Sequence, residues 1–296
     1  MLEKRFKQPF LQALGLLMTM LPAGVAIAQP ALSEGDKVDL IIAVDASGDM
    51  TQENNQLMDF LYSGLVQPMV QDGIDLQTII VARFGDTPPE LCFEQPLGGI
   101  PFGACDFSPP EPVNSSDFRH YSVNVQSFNA WCRLLEGYDG SLADDFNQAP
   151  AGWSTWLRED AFKKILVVTN DRVNCTLNGE IYFGDLISLA EATAASFDSA
   201  LLGLSPAQFG TSSARKYMFI ALNGVPISSR PDGVWYPSDP FTFGFCSGAQ
   251  NGGLAYQALS RLTGGFRFSI CSFATNPQPF YDLLGSYPRF FRDRFE

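Results

Sequence analysis

Two carboxylates and a serine stand together directly after an apolar segment near the start of the chain. The segment reads VDLIIAV over residues 38–44, and Asp45, Ser47 and Asp49 follow it at alternate positions. Side chains at alternate positions of a tight turn can converge, and Gly48 lets the backbone turn at little conformational cost. Carboxylate and hydroxyl oxygens are ligands of Mg²⁺ and Ca²⁺ in proteins. The stretch therefore predicts a divalent-cation site.

A second polar pair, Asn170 and Asp171, follows another apolar segment, ILVVT at 165–169. Continuous apolar runs of this kind are typical of strands that are covered on both faces. The carboxyl ends of parallel strands meet at one edge of a sheet, and α/β proteins bind their ligands there. We therefore expect the two polar clusters to lie at the same edge.

The first cluster also has a purely structural interpretation. Asp49 or Thr51 can cap the helix that is predicted after the turn, and Asp49 and Gln52 have the spacing of a capping box. Asp45 can satisfy amide groups of the loop without any ion. Under this interpretation the cluster shapes the turn and binds nothing.

Strands and helices alternate along most of the chain. Strands are predicted at 38–44, 75–84, 120–125, 165–169, 216–222 and 266–271. Helices are predicted from Thr51 to about 72 and at 127–138, 155–164, 185–204, 252–265 and 277–293. This alternation predicts an α/β fold: a doubly wound, mostly parallel central sheet with helices on both faces.

The beginning of the chain has the features of a secretory signal peptide. A short basic region at 4–7 precedes an apolar stretch at 10–21, and Ala26 and Ala28 have the spacing of a cleavage site. The apolar stretch is too short for a membrane anchor, and Pro22 interrupts it. We therefore expect an exported protein, periplasmic or extracellular, that has no membrane span after cleavage.

The predicted domain plan is simple. A signal peptide occupies residues 1–28, a linker 29–36, and one domain 37–296, with a Pro/Gly-rich insertion at about 85–118. Removing the signal peptide removes three basic residues and one acidic residue, so the formal charge changes from −13 to −15. A surface this acidic argues against nucleic acids and anionic membranes as partners.

The chain has six cysteines, all beyond the predicted signal peptide. An even number in an exported chain predicts three disulfides, although the sequence alone permits many pairings. The spacing favours Cys92–Cys105 as a local clip and Cys246–Cys271 as a bridge across a helix. Cys132–Cys175 is then the remaining pair. Because the chain has no CxxC motif and only one histidine, His120, we do not expect a structural zinc site or a catalytic zinc site of the usual His-rich kind.

Three segments resemble the von Willebrand factor type A domains, in chain order. DLIIAVDASGDM at 39–50 is similar to the apolar strand and D-x-S-x-S motif that open those domains. AGWSTWLREDAFKKILVVTNDRVNC at 151–175 looks like their central strand, and TGGFRFSIC at 263–271 like a late segment of exported bacterial members. The resemblance extends over roughly 37–290, and only the first motif is specific.

The resemblance implies a metal-ion-dependent adhesion site. In the family, the D-x-S-x-S motif, a later threonine and a later aspartate hold magnesium or a similar ion, which leaves a position open for a carboxylate of a partner. Asp45 and Ser47 match the motif, whereas Asp49 stands where the family has a second serine. An added carboxylate strengthens cation binding but weakens the attraction of the ion for a partner's carboxylate, and it favours calcium.

The other two positions are carried over with changes. Ser141, in YDGS, is the candidate for the threonine. Asn170 occupies the position of the later aspartate, and Asp171 is next to it. An asparagine carbonyl can still coordinate an ion, so the charge of the site remains close to that of the family.

The sequence therefore predicts an exported binding or adhesion module, not an enzyme, that recognises a protein or cell-surface ligand through a magnesium or calcium site. A first alternative is a scaffold with a degenerate metal site that binds through residues 85–117. A second is a metal-dependent hydrolase at the acidic cluster, with a carboxylate as general base. GFCSG at 244–248 has the shape of a nucleophile elbow, but His120 precedes it, whereas that mechanism requires a histidine after it.

Overall fold

Seven strands form the central sheet, and six of them run parallel. A computed structural model describes residues 35–107 and 109–286. In chain order its strands are β1 (Lys37–Val44), β2 (Asp75–Ala82), β3 (Phe118–Ser122), β4 (Phe162–Val168), β5 (Asn174–Leu177), β6 (Glu180–Phe183), β7 (Gly210–Thr211), β8 (Ala214–Arg215), β9 (Tyr217–Asn223), β10 (Val234–Trp235) and β11 (Arg267–Ser269). The sheet order is β10–β11–β9–β4–β1–β2–β3, with β10 antiparallel to β11.

Helices cover both faces of this sheet. They are α1 (Thr51–Leu61), α2 (Gln67–Gln71), α3 (Ala130–Tyr138), α4 (Ile187–Leu204), α5 (Pro206–Phe209), α6 (Leu254–Thr263), α7 (Ile270–Thr275) and α8 (Gln278–Ser286). A π-helical turn, Tyr62–Val66, joins α1 to α2. One apolar core lies between the sheet and α1, α2, α7 and α8, and the other between the sheet and α3, α4 and α6. The predicted doubly wound α/β fold is confirmed.

The interior strands are those with the longest apolar runs. Every residue of β1 after Lys37 is buried, and β4 and β9 are buried almost throughout. Successive side chains of a strand point to opposite faces, so a strand that is covered on both sides must be apolar at nearly every position. Ile41, for example, faces one core, whereas Ile42 faces the other.

One predicted helix is wrong. The segment 155–164 forms only a short 3-10 turn, Trp153–Trp156, before β4 begins at Phe162. Arg158 explains the difference: its backbone nitrogen donates to Asp39 Oδ2 at 2.9 Å and its Nε donates to Asp39 Oδ1 at 2.7 Å. These bonds attach the segment to buried Asp39 on β1, and this tertiary contact overrides the local helical pattern.

Other boundaries differ less. The last predicted strand is only β11, because α7 begins at Ile270. The helix predicted at 277–293 begins at Gln278 and is described to Ser286; the rest of that prediction lies outside the described residues. The hairpin of β5 and β6 was not predicted, although Asn178 and Gly179 at its tip are turn residues with positive φ.

Three disulfides join the six cysteines in the pairs that the spacing favoured. Cys92–Cys105 closes a loop of the Pro/Gly-rich insertion, and Cys132–Cys175 joins α3 to β5. Cys246–Cys271 joins the loop before α6 to α7. Disulfides indicate an oxidising, exported environment. The predicted signal peptide lies outside the described residues, and no helix within them has the length and apolarity that a membrane crossing requires.

Strand order reverses beside β1. From β1 the chain proceeds outward through β2 and β3, and it then returns to β4 on the other side of β1 and continues through β9 to β11. The turns that follow β1 and β4 therefore lie next to each other at the carboxyl edge, where doubly wound sheets place their ligand sites.

Candidate functional site

The turns after β1 and β4 begin side by side. Asp45 N donates to Val168 O at 2.9 Å, which extends the pairing of the two strands by one residue. Thr169 N donates to Leu222 O at 3.0 Å, so the second turn is fixed to β9 in the same way. Because both turns start from the sheet itself, their first side chains occupy defined positions.

Asp45 is the buried centre of the site. Its Oδ1 accepts from Ser47 N at 2.9 Å, and its Oδ2 accepts from Thr169 Oγ1 at 2.8 Å. The residue is inaccessible to solvent, and this burial raises the pKa of its carboxyl group. Hydrogen bonds from Ser47 and Thr169 oppose that rise in pKa, whereas the nearby charge of Asp49 adds to it.

Asp49 forms the outer, exposed side of the site. Its Oδ1 accepts from Ser47 Oγ at 2.8 Å. Burial raises the pKa of Asp49, but the side chains of Asn170 and Ser47 outweigh that effect and hold the pKa below its ordinary value. Neither the 3-10 turn Gly48–Met50 nor α1 has a side-chain capping bond at its start. Asp49 therefore does not act as the helix cap that the sequence also allowed.

Asn170 and Asp171 bring the second turn to the same place. Asn170 is buried and its side chain faces Asp49, yet neither its amide nitrogen nor its amide oxygen has a partner at good hydrogen-bonding geometry. Its backbone oxygen accepts from Gln250 N at 2.8 Å. Burial raises the pKa of Asp171, and the charge of Asp49 contributes to the rise. The structure thus brings together five of the six predicted site residues.

Ser141 lies elsewhere. Its hydroxyl donates to Glu136 O at 2.8 Å, and its backbone nitrogen donates to Asp139 Oδ1 at 3.0 Å. These contacts place Ser141 at the C-terminal end of α3, where it has no contact with Asp45.

Thr169 supplies the hydroxyl group that Ser141 was predicted to supply. Besides its bond to Asp45, Thr169 Oγ1 accepts from Asp171 N at 3.2 Å, so one side chain ties the two turns together. The sequence indicates Thr169 as a site residue only by its position. It is the last residue of ILVVT and directly precedes the polar pair. A threonine at this position also fits the end of a strand, so the sequence alone does not mark it as a site residue.

Two further residues lie close to the turn after β4. Tyr256 on α6 is completely buried, and its hydroxyl has no hydrogen-bond partner. Burial raises the pKa of this hydroxyl well above its ordinary value, and the charges of Asp45 and Asp171 add to the effect. Asn223, at the end of β9, is also buried, and its side-chain oxygen has no partner. Buried polar atoms without partners are uncommon in folded proteins.

The two turns carry oxygen donors of the kinds that hard cations take. These are the carboxylates of Asp45, Asp49 and Asp171 beside hydroxyl and amide oxygens, and no salt bridge reaches these carboxylates within the described residues. The described ranges contain no cluster of three or more His, Cys, Asp or Glu side chains in metal-binding geometry. The three carboxylates of the two turns therefore do not converge on one point.

The chain's single histidine lies apart from this site. His120 is buried on β3, where its Nε2 lies 3.0 Å from Ala82 O, and burial lowers its pKa to about 4. Cys246, the residue of the elbow-like segment, is bound in a disulfide. The nucleophile-elbow interpretation of 244–248 is therefore wrong.

Comparison of the chain with protein-family models, with curated proteins and with solved structures gives no match. The fold and the site geometry are consequently the basis for assigning a function.

Proposed function

We propose that the protein is an exported binding module of the von Willebrand factor type A kind, which holds a divalent cation at the carboxyl edge of its sheet and uses it to recognise a protein or surface ligand. The observation that supports this proposal is the joining of the two turns. Asp45 accepts hydrogen bonds from both Ser47 and Thr169, and Ser47 donates a hydrogen bond to Asp49.

Electrostatics favours a cation at this position. Asp45 and Asp171 are buried, and their raised pKa values reflect both lost solvation and the charge of Asp49. A divalent ion between the turns would compensate this negative charge, and the amide oxygen of Asn170, which has no hydrogen-bond partner, would be a ligand for it. Magnesium and calcium both suit oxygen donors, and the extra charge of Asp49 favours calcium.

Titration calorimetry of the chelator-treated protein tests the proposal. We expect Mg²⁺ or Ca²⁺ to bind at one site and Asp45→Asn to abolish the binding heat. Asp72→Asn is the matched control, because Asp72 follows α2 at the opposite edge of the sheet. No heat from the unaltered protein at millimolar Mg²⁺ or Ca²⁺ would refute the cation site.

A second candidate is a scaffold that binds through the disulfide-clipped loop of the insertion. Phe102 lies within the loop that the Cys92–Cys105 disulfide closes and is 90% exposed, and Phe107, two residues beyond that loop, is 84% exposed. Exposed aromatic side chains on a constrained loop are typical of protein-binding surfaces. EDTA separates the two candidates. Ligand binding that persists in EDTA, and that the variant Phe102→Ser loses, supports the scaffold.

A further inference from the structure

A cleft of about 500 Å³ lies where α3 and α4 end beside the hairpin of β5 and β6. Its inner wall is apolar and consists of buried or half-buried side chains from all three elements: Leu135, Leu177, Ala200 and Leu204. The carboxylates of Asp139 and Glu180 also line it, and both residues are exposed. We call this site the acidic cleft.

The two carboxylates of the acidic cleft are held by hydrogen bonds and have no cationic partner. Asp139 Oδ1 accepts from Ser141 N at 3.0 Å, and the bonds from Ser141 hold the pKa of Asp139 below its ordinary value. Glu180 Oε1 accepts from Ser196 Oγ at 2.6 Å. Among the described residues no salt bridge reaches Asp139 or Glu180.

Two helix ends add to the negative potential of the acidic cleft. Asp139 directly follows the end of α3, and Leu204 is the last residue of α4. The free carbonyl groups at the C-terminal end of a helix carry partial negative charge, which basic residues in the last turn often compensate. Neither α3 nor α4 has a basic residue in its last turn. The acidic cleft therefore combines an apolar wall with negative charge that the described residues do not neutralise.

We propose that the acidic cleft is a second binding site, and that its ligand is a small aliphatic amine with two or more ammonium groups. The ammonium groups would meet Asp139 and Glu180, and the methylene chain between them would cover the apolar wall. Alkylammonium groups are charged at neutral pH, as that of lysine is. This site is separate from the candidate cation site and does not depend on it.

The size and the lining of the acidic cleft favour this ligand over other cations. Its volume lies in the range of small-molecule sites. A metal ion would make no use of the apolar wall, and a single ammonium group would leave one of the two carboxylates unpaired. A third lining carboxylate, Glu136, is already paired with Arg133 at 2.6 Å, so the acidic cleft offers two free carboxylates to a ligand.

Titration calorimetry with 1,5-diaminopentane tests the inference. The titration is done in ~150 mM salt, which screens the long-range attraction between an amine and a chain of formal charge −13. We expect one saturable site. The double variant Asp139→Asn/Glu180→Gln should bind the diamine about 10-fold more weakly, because it loses two charge-assisted contacts. Both replacements keep an oxygen that can accept from Ser141 and Ser196, so the fold should be retained.

The matched control is Asp59→Asn/Asp72→Asn. It removes the same number of exposed carboxylates, but on α1 and after α2, across the sheet from α3 and α4. This control should bind the diamine normally, and so should Asp45→Asn, whose altered residue belongs to the candidate cation site. The shorter 1,3-diaminopropane carries the same charge but covers less of the apolar wall, and it should bind more weakly.

Four results would overturn the inference. They are no heat at millimolar diamine, unchanged binding by Asp139→Asn/Glu180→Gln, an equal loss of binding in the control double variant, or equal affinity for the two diamines. The third result would mean that the overall charge attracts amines without a site. Because the Mg²⁺ and Ca²⁺ titrations use a different probe and a different variant, a failure of the acidic cleft is distinguishable from a failure of the cation site.

Discussion

Asp49→Asn should leave the stability of the metal-free protein nearly unchanged and lower the stability of the cation-bound protein. The charge of Asp49 raises the pKa values of three neighbouring carboxyls, those of Asp45, Glu53 and Asp171. Because Asp49 is exposed, solvent screens each repulsion to about 0.3 kcal/mol. Removing the charge should relieve roughly 1 kcal/mol of repulsion, but it also weakens the interactions with Ser47 and Asn170 that lower the pKa of Asp49, so the two effects should nearly cancel in the metal-free protein.

With a cation bound, the variant should be the less stable of the two proteins. At a cation concentration of about 100 Kd, binding stabilises the folded state by about 2.7 kcal/mol. Asparagine keeps the shape of Asp49 and one oxygen but loses its charge, and we expect the affinity for the cation to fall about tenfold. Each tenfold loss of affinity removes about 1.4 kcal/mol of that stabilisation. The variant should consequently gain about half as much stability from the cation as the unaltered protein.

Differential scanning calorimetry measures both effects in one experiment. The two proteins are compared in chelator and then in Mg²⁺ or Ca²⁺, with Asp72→Asn as the control that should follow the unaltered protein. A Tm of Asp49→Asn in chelator that differs from that of the unaltered protein by more than about 4 °C would refute this balance. An equal gain in Tm from the cation would show that Asp49 is not a ligand.

Three further predictions concern the rest of the molecule. Tyr256→Phe should lower the cation affinity measured by titration calorimetry, whereas Tyr281→Phe, which removes another buried hydroxyl without a partner, should leave it unchanged. Burial lowers the pKa of His120 from 6.5 to about 4, so the unfolded chain takes up this proton at a higher pH than the folded protein does. The free energy of unfolding should therefore fall by about 3 kcal/mol as the pH falls from 6.5 to about 4. Urea unfolding of His120→Gln should lack this loss. Replacing Cys132 and Cys175 by serine removes a link across 43 residues and should cost about 4 kcal/mol in urea unfolding.

The sequence predicted the sheet well because its interior strands are nearly uniform in composition. Segments such as 38–44 and 165–169 must be apolar at almost every position when both faces are covered, and this pattern does not depend on distant contacts. The segment 155–164 shows the limit of local patterns. Its conformation depends on the contact of Arg158 with Asp39, which lies 119 positions away in the sequence.

The site was predictable where it follows directly from the strands. Asp45 and Asn170 come immediately or almost immediately after β1 and β4, so their place at the carboxyl edge follows from the order of the elements. Ser141 was chosen by residue type alone, and its surroundings depend on how the chain leaves α3. Tyr256 was not recognised because a tyrosine inside a helix gives no sign in the sequence that its hydroxyl is buried without a partner.

The central claim is that the turns after β1 and β4 hold a divalent cation. Anomalous diffraction from crystals of the protein soaked in Mn²⁺ tests it most directly, since Mn²⁺ takes the same oxygen ligands as Mg²⁺. We predict one strong anomalous peak among Asp45, Asp49 and Asn170, coordinated by their oxygens directly or through water. A map with no peak between these residues, or with its strongest peak elsewhere on the protein, would contradict the account.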